Sequence, residues 1–204
     1  MIFQNFDDII RGQAAQPLQE FNPVFSEDIT EHLFTRGHFG LDIVSLNVQR
    51  GRDHQIQGYT TYKNLCGLGS THGWGDLTDL ISTEFVHRLA HTYENPDDVD
   101  MYIALAMEKA SSNSLLGPTT ICLIKHQFEV LKHGDRFFYS IPGHFSSNQM
   151  RKIRQQTLSS VMCANADNPE TMTLQPNMFK KADDHGHDHG NGLRPCSHYP
   201  VFSI

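Results

Sequence analysis

Apolar positions along the chain recur mostly at steps of three and four, the period of an α-helix, and rarely in strict alternation. The pattern predicts a mainly α fold with long irregular connections and minor strands. Residues 1–30 carry Gly, Pro and Gln between short apolar runs, which read as short helical turns and loop. "SEDITEHLF" then opens a helix, with Ser26 as N-cap and Glu27 and Asp28 in the first turn, where acids favour the helix dipole. Gly37 and Gly40 break it, and Asp42 is placed to cap a helix running to about Gln49. Gly67, Gly69, Gly73 and Gly75 mark a loop. Leu77, Leu80, Ile81, Phe85 and Leu89 predict a helix over 77–93, ended by Asn95 and Pro96. A short helix is expected over 99–107. Pro118 starts a long one, with Ile121, Ile124, Phe128 and Leu131 on one face and Gly134 at its end. Ser146 or Ser147 caps a last helix carrying Met150, Ile153 and Val161, and after Cys163 the pattern fades.

One stripe breaks the helical pattern. In "SLNVQRGRDH", Ile43, Leu46, Asn47 and Arg50 fall at i, i+3, i+4 and i+7, on one helix face. A buried amide without a partner costs about 1–3 kcal/mol, and a buried guanidinium costs more unless an anion meets it. The stripe therefore fits a partner with an apolar body, a hydrogen-bond donor near Asn47 and an acid near Arg50. The blander alternative is that Asn47 caps a local turn and Arg50 pairs with a surface acid.

Composition narrows the classes. The 204 residues suffice for one domain or a piece of a larger one. A net charge of −7 with no basic block argues against a nucleic-acid surface. No run of 18 apolar residues predicts a membrane span. "MIFQNFDDII" lacks the basic, apolar and small-residue succession of a secretory signal. Cys66, Cys122, Cys163 and Cys196 form no C-x-x-C pair, so a zinc ribbon is not expected. Four free thiols and any of three disulfide pairings both remain open.

The stretches are also recognisable in series. "SLNVQRGRDH" resembles the signature of the animal haem peroxidases, the family of myeloperoxidase, thyroid peroxidase and arthropod peroxinectins. "DDIIRGQAAQPLQEF", "ITEHLF", "GYTTYKNLCGL", "DVDMYIALAMEK", "LLGPTTICLIKHQFEVLKHGDRFFY", "FSSNQMRKIRQQTLSSVMCANAD" and "LQPNMF" resemble further blocks of that family, in order and over nearly the whole chain. The resemblance is to the C-terminal part of the family's single haem peroxidase domain, covering residues 1–204. It implies a mainly α fold and a donor oxidation driven by hydrogen peroxide, with haem as cofactor.

By the same resemblance, Asn47 accepts a hydrogen bond from the N–H of the iron's proximal histidine, which fixes that ring's tautomer. Arg50 meets a haem propionate, a planar match of guanidinium to carboxylate. Ile43, Leu46 and Leu33 lie against the macrocycle. No block resembling the family's proximal or distal histidine precedes Asn47. The expectation is therefore that the chain lacks the N-terminal half of the domain, with both histidines and a Ca²⁺ ion, and is inactive alone. A non-catalytic adhesion protein of the peroxinectin kind, or an inactive truncated paralogue, is the alternative, although no RGD or KGD tripeptide occurs. The resemblance also implies the pairs Cys66–Cys122 and Cys163–Cys196, and with them an extracellular setting. Departures are Gln55 where the family has Gly after "RDH", Tyr62 for its Trp, and Ala104-Leu105 for a glycine pair. Finally, residues 183–192 read as a solvated His/Asp/Gly-rich loop, with His185, His187 and His189 as weak candidate metal ligands.

Overall fold

Side-chain caps set many of the element boundaries. The computed structural model describes residues 5–183 and 190–201. Among them the elements in chain order are α1 (Phe6–Ala15), α2 (Glu27–Thr30), β1 (Leu33–Arg36), β2 (Phe39–Leu41), α3 (Ile43–Asp53), α4 (Tyr59–Leu65), α5 (Thr83–Thr92), α6 (Met101–Met107), α7 (Pro118–Gly134), α8 (Ser147–Arg154), α9 (Leu158–Asn165), β3 (Thr173–Leu174) and β4 (Arg194–Pro195). The mainly α expectation holds, and the strands form two short antiparallel pairs. The chain divides into two compact units, Glu20–Gly134, and Met1–Gln19 with Asp135–Ile204.

In the first unit the core is Tyr59, Leu77, Ile81, Val86, Leu89, Val99 and Ala104. The helix expected over 77–93 is two pieces, a 3₁₀ turn at Trp74–Leu77 and α5. Ser82 is extended (φ −62°, ψ 147°), and its hydroxyl accepts from the Phe85 N–H at 3.4 Å, so the helix restarts there. Leu77 and Ile81 are still buried, so the apolar spacing was sound although the backbone between them is not helical. "SEDITEHLF" makes only one helical turn. Ser26 caps it as expected, and Leu33 then lies on β1, opposite Leu41 of β2. Helix α4 falls where no helix was expected. The Cys66–Cys122 disulfide lies in this unit.

Glu108 organises the start of α7. Its carboxylate is buried and accepts from the Tyr59 hydroxyl at 2.7 Å and from the N–H groups of Thr119 and Thr120 at 3.2 and 3.3 Å. It thus satisfies two of the backbone donors that a helix leaves open at its N-terminus. Burial, then the Glu108 contact, push the Tyr59 phenol well above its ordinary range.

In the second unit, α1 is a regular helix where only short turns were expected. Asp7 in its first turn accepts from the N–H groups of Asp167 and Asn168 at 3.0 and 2.9 Å, tying the α1 turn to a segment about 160 residues away. The Asp167 N–H is the main reason its carboxyl is held below the usual range. The core is Ile10, Cys163, Met172, Leu174 and Cys196, with the Cys163–Cys196 disulfide inside it. The single helix expected from Ser146 is split in two by a second cap. Ser146 and Gln149 form a capping box for α8, and Thr157 and Ser160 form another for α9.

Candidate functional site

Helix α3 carries the polar stripe, and its ends are fixed locally. Asp42 accepts from the Val44 N–H at 2.9 Å and from the Ser45 hydroxyl at 2.5 Å, and these bonds hold its carboxyl below the usual range. At the other end the Gln55 N–H donates to Arg52 and the Ile56 N–H to Gly51, a Schellman ending three to four residues beyond the expected Gln49.

The back of α3 is anchored by a bidentate ion pair. Arg52 Nε and Nη2 donate to Asp100 at 2.9 and 2.7 Å, and the Tyr93 hydroxyl donates to the same carboxylate at 2.8 Å. The Arg52 bonds are the main reason the Asp100 carboxyl is held below its ordinary range, while burial, and then Asp100, push the Tyr93 phenol up to about 12. At about 100° per residue, Arg52 points roughly opposite to the stripe centred on Ile43 and Arg50. Packing of α3 on α6 and the Arg52–Asp100 pair thus leave Ile43, Leu46, Asn47 and Arg50 together on one face.

No residue of that face is fully buried. Ile43 and Asn47 are half-buried and Leu46 and Arg50 are exposed. Neither Asn47 nor Arg50 has a side-chain partner among the described residues, so neither the turn cap nor the surface ion pair of the blander alternative forms. Leu33 sits near the start of the helix through its register with Leu41, two residues before Ile43. The next residue, Phe34, is 76% exposed and holds φ 53°, a left-handed conformation that a bulky side chain rarely adopts. The arrangement offers two apolar side chains, one amide and one guanidinium to a flat apolar body bearing a hydrogen-bond donor and carboxylates.

Of the other candidates, Cys66, Cys122, Cys163 and Cys196 form the two pairs that the resemblance implied, with no free thiol. His185, His187 and His189 lie outside the described residues. Among those described, Glu27, Glu31 and His32 group closely enough to ligate a metal, but all three are exposed and nothing further points to an ion. Sequence reading missed Arg52 and Asp100 as the anchor. The spacing of Arg50 and Arg52, two residues apart, is the signal that could have separated them, since a helix cannot aim both at one partner.

The family model described as animal haem peroxidase matches residues 1–179. The chain is 33% identical to peroxidasin homolog pxn-2 of Caenorhabditis elegans, over 97% of the chain and 15% of that protein. It is 33% identical to a peroxidase of Drosophila melanogaster, over 98% and 29%, and 36% identical to the human peroxidasin homolog, over 97% and 13%. The chain thus spans less than a third of the length of these relatives. Among solved structures, peroxidase A from Dictyostelium discoideum superposes with a TM-score of 0.74 at 29% identity, covering 88% of this chain and 34% of that one.

Proposed function

Because this chain belongs to the animal haem peroxidase family, we propose that it forms one wall of the haem site of a peroxidase that oxidises a reducing donor with hydrogen peroxide. One observation carries the assignment to α3. The helix is pinned from behind by Arg52 and Asp100, and its front presents Ile43, Leu46, Asn47 and Arg50 with no partner for either polar group among the described residues. That donor set fits a porphyrin, which is apolar across its face and carboxylate-bearing at its edge.

In this reading Ile43, Leu46 and Leu33 exclude water from the macrocycle. Arg50 donates paired hydrogen bonds to a propionate, positioning the ring and neutralising its charge. The Asn47 amide oxygen accepts from the N–H of the imidazole that ligates the iron, so the opposite ring nitrogen keeps its lone pair for the metal. Haem, when bound, supplies the redox centre at which peroxide is reduced. No stretch of the 204 residues resembles the family's proximal or distal histidine blocks, so in this account those groups come from polypeptide outside this sequence. The two disulfides support an oxidising, extracellular setting.

The test is to add haemin, peroxide and a donor dye to the folded 204-residue chain. No sustained turnover and no histidine-type Soret band are expected. A sharp band of that type with donor oxidation would overturn the placement of the histidines elsewhere. In haem-loaded protein that includes the axial histidine, Asn47→Ala is expected to shift the Fe(III)/Fe(II) midpoint, and an unchanged midpoint would overturn the role of Asn47.

A further inference from the structure

A concave site lies in the unit formed by Met1–Gln19 and Asp135–Ile204, away from α3 in sequence. It is a cavity of about 550 Å³ between α1, β3 and the segments around Lys181 and Leu193. That volume falls within the roughly 300–1,000 Å³ of small-molecule sites. Its walls include Ala14, Leu174 and Leu193, which give an aliphatic body, and among the described residues no aromatic side chain lines it.

Two features define what would bind. The first is charge. Arg11 and Lys181 both line the cavity. Arg11 is shared with Asp8, but the Lys181 ammonium has no partner among the described residues. Asp183, the one carboxylate among the described lining residues, accepts from the Asn191 N–H at 2.7 Å. The second feature is Gln175. It lines the cavity yet is only 1% exposed. Its Nε2 donates to the Ala14 and Lys180 carbonyls at 2.8 and 3.1 Å, which fixes the orientation of the amide. No donor among the described residues meets its Oε1. This acceptor is therefore held in place in the cavity lining and is open to a donor from a ligand.

We infer that this cavity binds a small hydroxylated aliphatic carboxylate, with its carboxylate at Lys181 and Arg11, its chain along Ala14, Leu174 and Leu193, and its hydroxyl donating to Gln175 Oε1. The site is independent of the α3 face, and nothing in it depends on haem.

The experiment is calorimetry on the 204-residue chain with three probes, 6-hydroxyhexanoate, hexanoate and 1,6-hexanediol. The hydroxy acid is expected to bind saturably, and each probe lacking one polar end to bind about tenfold more weakly. Lys181→Ala should reduce the hydroxy acid to the level of the diol and leave the diol unchanged. Leu193→Trp, which fills the cavity from an exposed position, should abolish all three. Circular dichroism confirms that both variants, altered at exposed residues, remain folded. Equal affinity for the three probes, no saturable binding by the wild type, or undiminished binding by folded Leu193→Trp would each overturn the proposal.

Discussion

Gln55 occupies the left-handed C′ position of the α3 Schellman ending at φ 57°, where α4 places Gly67 at φ 71° in the same hydrogen-bond pattern. A side chain with a Cβ in this region is disfavoured by about 1–2 kcal/mol. Gln55→Gly is therefore expected to raise stability by about 1 kcal/mol and Gly67→Ala to lower it by a similar amount, read from urea midpoints at constant slope. The departure of Gln55 from the family's glycine was visible in the sequence. That the turn would persist and absorb the strain was not, because turn geometry is settled by the packing on both sides. Gly117 is constrained differently. A Cβ there would lie 2.3 Å from the Glu108 Cβ and 2.4 Å from its Oε2. Gly117→Ala should thus cost about 1–3 kcal/mol by overpacking a buried carboxylate. Asn47→Ala and Arg50→Ala should change the stability of the chain by less than about 0.5 kcal/mol, since neither side chain has a partner to lose. A larger loss in thermal melts would mean that these residues support the fold and are not held ready for a ligand.

At the scale of elements, α3 works because one face is tied down and the other is left open. The tie is pH-dependent. The Asp100 carboxyl is depressed mainly by its hydrogen bonds to Arg52, so its stabilisation is fully present above the unfolded value of about 3.9 and is lost as pH falls below it through the folded value. Arg52→Ala is expected to cost about 0.5–1 kcal/mol at pH 7, a modest figure because the Arg52 side chain is 59% exposed to screening solvent. The difference between variant and wild type should shrink progressively as pH falls below about 3.9. A constant difference across that range would contradict the ion-pair account. Capping residues were the most legible signals at this scale, Ser26, Asp42 and Ser146 each doing what their side chains favour. Ser82 and Thr157 were overlooked because continuous apolar spacing ran across them. A 3₁₀ turn followed by a capped helix, or two short helices in succession, can present apolar residues at nearly the same intervals as one long helix.

For the molecule as a whole, each compact unit has its own small core and its own disulfide. Replacing both cysteines of either pair by serine is expected to cost about 4 kcal/mol in the chain-entropy model, given closed loops of 56 and 33 residues. The family was legible because many short blocks occur in order, each tied to a structural need such as the Glu108-capped start of α7. What was not legible is how little of the apolar surface is covered. The face of α7 read as a core stripe leaves Ile124 at 43%, Phe128 at 66% and Leu131 at 55% exposure. Periodicity reports that a face is apolar and not what covers it, and in the proposed account the remainder of the peroxidase domain does so. The central claim is that the α3 face receives a porphyrin edge through Arg50. It is tested most directly by titrating the folded chain with haemin and with haemin dimethyl ester, for the wild type, Arg50→Ala and, as a charge control, Arg88→Ala. The account predicts that Arg50→Ala weakens haemin about fivefold or more, as expected for one lost charge-assisted pair, leaves the ester unaffected, and has no counterpart in Arg88→Ala. Equal haemin affinity in all three proteins would contradict it.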